Sequence, residues 1–361
     1  MAGGGTRSST WTWVVPILAW AALITVFVAH LGGLFLVVVA LLLGAVVFAA
    51  VHHAEVVAHR VGEPFGTLVL AVAVTVIEVA LIVSVMLSAG PEKAGLARDT
   101  VFAAVMIVCN GILGLCLLLG GIRHREQAFH LEGASVALAV LGSLAILSLV
   151  LPNFTTSAPG PVWSPPQLAF AGVSSLVLYA SFVFAQTVRH RDYFLPVGAE
   201  PEETHAQPPS NRQAAVSLGL LLVSLVAVVG LAKALSPSIE SAVANAGAPA
   251  AVVGIIIAGL VLLPEGMAAT KAAASNRLQT SLNLTLGSAL ASIGLTIPVL
   301  AAIFIRLGKP LILGLAPKET VLLVLTLFIG TITLGTGKSN LIKGVVHLVV
   351  FAAFLFLSVV P

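Results

Sequence analysis

The sequence predicts an all-α polytopic membrane protein of about eleven transmembrane helices, one N-terminal helix plus two inverted five-helix repeats. Three observations carry that expectation. Of 361 residues, 59% are hydrophobic and 9% charged, where a soluble domain carries roughly 25% charged residues, so a water-solvated globule is excluded. Apolar stretches that fill a membrane-spanning window of about 19 residues recur along the whole chain. One long polar segment, Arg189–Gln213, separates those stretches into two sets.

The first set covers Trp11–Ala29, Leu31–Val51, Gly66–Ala89, Thr100–Gly120, Gly133–Leu151 and Gln167–Gln186. The second covers Ala214–Leu235, Ala248–Ala269, Leu278–Ile305, Glu319–Gly335 and Ile342–Val360. The opening stretch follows a single charge, Arg7, and lacks a small-residue cleavage pattern, so it reads as a retained span and not a signal peptide. The expected organisation is an N-terminal helix in residues 1–30, a first repeat in 31–188, a cytoplasmic linker in 189–213 and a second repeat in 214–361. The linker carries Pro201, Pro208 and Pro209 with Glu200, Glu202 and Glu203, the composition of a solvated connection. Five spans per repeat is an odd number, so the second repeat enters the membrane inverted, as in many secondary transporters.

Alternating sides along these spans places eleven of the seventeen Lys and Arg residues on the face of the N-terminus and linker, and six on the other. The positive-inside rule then makes the N-terminus cytoplasmic and the C-terminus external, with the cell inner (plasma) membrane as the expected location. Cys109 and Cys116 share one apolar run and read as packing residues. Basic stretches interleaved with aromatics are missing, as are Gly-rich phosphate cradles, so neither nucleic acid nor ATP is an expected partner, and the protein is not expected to be an enzyme.

Twelve of the fourteen acidic residues fall in loops or at helix ends, and only Glu78 and Glu265 fall within spans. A carboxylate at the centre of a membrane helix costs about 2.5–3.5 kcal/mol on insertion scales, so two at matching places in the two repeats point to function. Glu265 stands in Leu263-Pro264-Glu265-Gly266, where Pro removes a backbone donor and Gly relaxes the backbone. A helix broken at the acid is expected, with freed carbonyls beside a carboxylate forming an oxygen-rich site for a hard cation such as Ca²⁺ or Na⁺. Thr75 lies one turn before Glu78 on roughly the same helical face. Two facing carboxylates penalise each other's charge unless one divalent cation or two protons neutralise them. If only the neutralised forms cross the membrane readily, cation and proton become alternative passengers, which is antiport.

The stretch Ala54–Gly66 running into Glu78, and Leu263-Pro264-Glu265-Gly266 followed by Ser281–Ala289 and Pro298, resemble the two signature regions of the Ca²⁺/cation antiporters. The likeness is to the bacterial Ca²⁺/H⁺ exchangers, some of which also carry Na⁺ or K⁺. It spans nearly everything beyond the first helix. The resemblance implies that Glu78 and Glu265 are the cation- and proton-binding glutamates, with Asn110 and Ser288 on the following helices completing the site. It also implies transported Ca²⁺, Na⁺ or K⁺ and H⁺, with no cofactor. Where that family has Gly-Asn shortly before each glutamate, this chain has Val74-Thr75 and Val261-Leu262. The lost amides leave Na⁺/H⁺ or K⁺/H⁺ exchange open beside calcium transport, since Ca²⁺ takes about six to eight oxygens.

His52, Glu55 and His59 share one helical face beside His53. The spacing is expected to make a polar cytoplasmic helix end and a proton entry point, with a transition-metal site, and so an intramembrane metal enzyme, as a rival. A passive cation channel using the same glutamates is a second rival. His347 lies within the last span and reads as hydrogen-bonded to a neighbouring helix, and the same interhelical role stands open for Asn110 beside that of a ligand.

Overall fold

The structure, a computed structural model, describes residues 10–29, 33–62, 65–88, 95–196 and 209–360. Among them, eleven helical spans are long and apolar enough to cross a membrane. The first is α1 (Trp11–Ala29), followed by α2 (Leu34–Val61) and α3 (Phe65–Ser88). The fourth span is composite: α4 (Leu96–Met106) runs through a π-helical turn, Ile107–Ile112, into α5 (Leu113–His124). Then come α6 (Leu131–Ala145), α7 (Pro165–Phe184) and, beyond the linker, α8 (Asn211–Asn245). The chain ends with α9 (Ala251–Ala274), α10 (Leu278–Leu307), α11 (Pro317–Leu334) and α12 (Leu341–Val359). Arg7, Glu63, Pro201, Pro208, Glu200, Glu202 and Glu203 lie outside the described residues.

The spans lie where hydropathy puts them, and the differences fall at their ends. The second stretch, expected to stop at Val51, continues as α2 through His52, His53, Glu55 and His59 to Val61, where Gly62 takes φ +74° and ends the helix. The expected span Ala214–Leu235 is also longer, since α8 passes Pro237 and reaches Asn245. Polar residues near a helix end remain within reach of water, so helical hydrogen bonding persists past the apolar window. Large apolar side chains remain exposed along the helices, among them Val28, Leu34, Leu41 and Phe170. Such faces suit lipid, and a helix satisfies all its backbone polar groups internally, as a bilayer requires.

The chain forms two units, one of Met1–Ile77 with Ala206–Ile239, the other of Glu78–His205 with Glu240–Pro361. In the first unit, α1 packs on α2, and buried His53 bonds the Thr12 carbonyl at 3.0 Å and the Ser217 hydroxyl at 3.4 Å. Trp20 donates to the Val223 carbonyl, and Arg60 to the Asn211 amide oxygen. In the second unit α10 packs on α7, α6 and α9, while α4 packs on α9 and α12 on α5. Strands β1 (Glu126–Ala128) and β2 (Lys338–Asn340) pair antiparallel and tie the α5–α6 connection to the α11–α12 connection.

Candidate functional site

Glu78 is 3% exposed. It stands on α3 among Ile77, Val79, Leu81 and Ile82, all of which are buried. Both its oxygens are engaged by α10: Ser292 donates to Oε1 at 2.6 Å and Thr296 to Oε2 at 3.1 Å. Ser292 and Thr296 are separated by one helical turn, so both hydroxyls project from one face of α10 towards one carboxylate. An ionised carboxylate only accepts hydrogen bonds, and two hydroxyl donors complement it. Because Thr285, Ser292 and Thr296 are all buried, the α10 face along which they lie is polar inside an otherwise apolar helix.

Neither Ser292 nor Thr296 belongs to the expected site, which names Ser288 instead. Half-buried Ser288 lies one turn earlier, and among the described residues the hydroxyls bonded to Glu78 are those of Ser292 and Thr296. The i, i+4 hydroxyl pair in Ser292-Ile293-Gly294-Leu295-Thr296 was the available signal. Thr75, one turn before Glu78, is 5% exposed, and its hydroxyl has no hydrogen-bond partner among the described residues.

Glu265 is half-buried on α9, with its Oε2 shielded from solvent. The expected helix break is absent: α9 continues from Ala251 to Ala274 with Pro264 inside it. The proline still removes one donor, so the Leu260 carbonyl loses its i→i−4 partner without the helix parting. The hydroxyl of Thr270, one turn after Gly266, donates back to the Gly266 carbonyl at 2.6 Å. The irregular backbone of this region lies in the fourth span instead, at the π-helical turn Ile107–Ile112. A methyl group on Gly266 would stand 3.0 Å from Ile112 Cδ1, so α9 meets that turn beside Glu265. Helix α10 bonds Glu78 and packs on α9, the helix that carries Glu265.

Asn110, expected either beside the carboxylates or as a link between helices, is fully buried within that turn and takes the second place. Its amide nitrogen donates to Thr326 on α11 at 2.8 Å, and its oxygen lies 3.1 Å from Nδ1 of His347 on α12. Both ends of the amide are thereby occupied. His347 is held as the sequence suggested, by neighbouring helices. In the first unit, Glu55 and His59 are exposed, while the His52 ring lies tilted beside Trp11 and edge-on to His53.

Comparison with known proteins agrees with this architecture. A profile described as "Sodium/calcium exchanger protein" matches residues 30–188 and 216–360, both sets of spans beyond α1. The "Putative ionic transporter y4hA" of Sinorhizobium fredii is 54% identical over 357 residues, covering 97% of this chain and 96% of that protein. The "Sodium-potassium/proton antiporter ChaA" of Escherichia coli is 34% identical over 359 residues, covering 97% and 96%. Among solved structures, native YfkE superposes with a TM-score of 0.75 at 16% identity, covering 97% of this chain and all of that one. An H⁺/Ca²⁺ exchanger, CAX, gives a TM-score of 0.73 at 16% identity, covering 97% and 89%. At that identity the likeness speaks to the fold.

Proposed function

The chain belongs to the sodium/calcium exchanger family, and on that premise we propose that it is a secondary active cation/proton antiporter in which Glu78 and Glu265 bind cation and proton in turn. The observation that carries the proposal is Glu78: a carboxylate 3% exposed, in a membrane span, with a hydroxyl donor on each oxygen. A site that only stabilised the fold would not need an ionisable group whose burial in a bilayer is costly. When a cation arrives, the Ser292 and Thr296 hydroxyls can present lone pairs in place of protons, so the donors of the empty site become ligands of the filled one. Thr75 adds a buried hydroxyl on the same helix.

The cycle follows from charge. With cation or protons bound, the intramembrane charge is compensated and the loaded protein can change the side it faces. With neither bound, the buried negative charge pays desolvation without compensation, and the crossing is disfavoured. Cation movement in one direction is thereby tied to proton movement in the other. The protein exports Ca²⁺, with Na⁺ or K⁺ as further substrates, from the cytoplasm across the inner membrane.

A second reading is monovalent Na⁺ or K⁺ exchange without calcium. It is favoured by the count of oxygens bonded at Glu78, its own two with the Ser292 and Thr296 hydroxyls, against the roughly six to eight that Ca²⁺ takes, and by the 34% identity to a sodium-potassium/proton antiporter over 97% of this chain. The discriminating experiment loads everted vesicles with protons and adds CaCl₂, NaCl or KCl separately. The salt that collapses the pH gradient identifies the cargo. Calcium-driven collapse supports the first reading, and collapse by sodium or potassium alone selects the second.

A further inference from the structure

The π-helical turn Ile107–Ile112 is held from outside by side chains whose hydrogen bonds fix one another's direction. The Thr326 hydroxyl donates to the Leu322 carbonyl at 2.7 Å, so towards Asn110 it can only accept, and the Asn110 amide nitrogen donates to it at 2.8 Å. The amide oxygen of Asn110 therefore faces His347 Nδ1, 3.1 Å away, and that ring nitrogen must carry the hydrogen. On the far side of the ring, Nε2 meets the Thr333 hydroxyl at 3.0 Å. All four side chains are 3% exposed or less. Close approach of α12 makes the bond possible: a methyl on Gly114 would stand 3.0 Å from His347 Cβ, and one on Gly111 would stand 3.2 Å from the Phe351 ring.

A π turn contains one residue more than an α turn, and it persists only where its surroundings reward it. Here the reward is Asn110, which in this turn reaches α11 and α12 together. The same turn carries Ile112, which packs against Gly266, the residue next to Glu265. If the network is lost and the turn relaxes to α geometry, one side of the span rotates against the other by about 100°, the angle of one residue in an α-helix. Ile112 would then leave Gly266.

We propose that Asn110 and His347 are positioning residues for cation exchange: they hold the π-helical turn that seats Ile112 against Gly266 and so orient Glu265. This rests on the reading of Glu265 as a cation ligand. The network does not touch the cation. It sets affinity through the placement of α9.

The test measures proton movement driven by CaCl₂, and in parallel by NaCl and KCl, in proteoliposomes made with the full chain, separating the apparent KM for each transported cation from the maximal rate. His347→Phe and Asn110→Leu are each expected to raise KM about tenfold, the loss of a buried hydrogen bond. The double variant should be little worse than either single, because both break one network. His347→Asn, whose amide can donate where Nδ1–H did, should return KM to within about twofold of the parent. Unchanged KM in the single variants, strictly additive losses, or no rescue by His347→Asn would overturn the inference. If the truncations do not fold, Thr333→Val removes only the second partner of the ring and should raise KM about threefold; an unchanged KM there counts against the proposal. Glu265→Gln, run alongside, separates the two claims. Exchange that survives it removes the premise, whereas exchange lost in Glu265→Gln with normal KM in the network variants removes the positioning role alone.

Discussion

Replacing Ser292 by alanine should weaken apparent cation affinity more than replacing Thr296 by valine. Ser292 donates to Glu78 Oε1 at 2.6 Å, a length typical of a hydroxyl on an ionised oxygen, whereas Thr296 reaches Oε2 only at 3.1 Å. A hydrogen bond to a charged group contributes about 1.5–3 kcal/mol. At about 1.4 kcal/mol per factor of ten, losing the Ser292 hydroxyl corresponds to a tenfold to hundredfold rise in the cation concentration for half-maximal exchange. The longer Thr296 contact should be worth tenfold or less. The assay is proton movement in proteoliposomes titrated with cation at fixed pH, with Thr285→Val as the control. Thr285 lies on the same helix, but its hydroxyl bonds the Ser281 carbonyl at 2.7 Å and not the carboxylate, so affinity should stay within about twofold. Equal affinities in the parent and both site variants, or a larger loss at Thr296 than at Ser292, would refute the assignment of these hydroxyls to the cation site.

Gly294 lies between Ser292 and Thr296, and a methyl there would stand 2.6 Å from Tyr179 Cβ on α7. Gly294→Ala should cost about 1–3 kcal/mol of overpacking and lower the thermal unfolding midpoint in detergent, with cation affinity falling as α10 is pushed off α7. An unchanged midpoint would show that the two helices part without strain. Thr75→Val replaces a buried hydroxyl without a protein partner by an isosteric methyl, so expression should be normal and the ratio of calcium to sodium transport should shift by about threefold. Identical ratios would exclude Thr75 as a ligand. A periplasm-dependent reporter joined after Pro361 should be active and one joined before Trp11 inactive, since the positive-inside bias puts the N-terminus in the cytoplasm. The opposite pattern would invert the topology.

Much of the architecture was legible because a bilayer constrains a sequence so heavily. Each of the eleven apolar stretches corresponds to a helical span, since unsatisfied backbone groups in lipid leave little alternative to a helix. The two intramembrane acids were legible for the same reason: a carboxylate among residues such as Ile77 and Val79 has no inexpensive explanation. What surrounds them was less legible. Pro264 and Gly266 suggested a broken helix, yet α9 runs unbroken through both, and the irregular turn forms around Asn110, where no proline stands. The family resemblance placed Asn110 towards the cation, beside the alternative of a hydrogen-bonding link between helices, and its bonds to Thr326 and His347 are of the second kind. Its direction depends on Thr326 and His347, more than 200 residues away in sequence, and no local pattern encodes that. Ser288 and Ser292 lie one turn apart on α10, so choosing between them needed the packing of α10 against Glu78. Helix α2 carries His52, Glu55 and His59 past the expected stop at Val51, because an apolar window marks where lipid ends and not where helical hydrogen bonding does.

The central claim is that Glu78 and Glu265 carry both cation and proton. The most direct test measures cation-driven dissipation of the pH gradient in everted vesicles containing the parent chain, Glu78→Gln or Glu265→Gln at matched expression. Glutamine keeps the volume and part of the hydrogen bonding of each acid while removing its charge and its proton, so the folded protein should be retained and exchange abolished in both variants. Cation-dependent proton flux that persists in either variant would contradict the account.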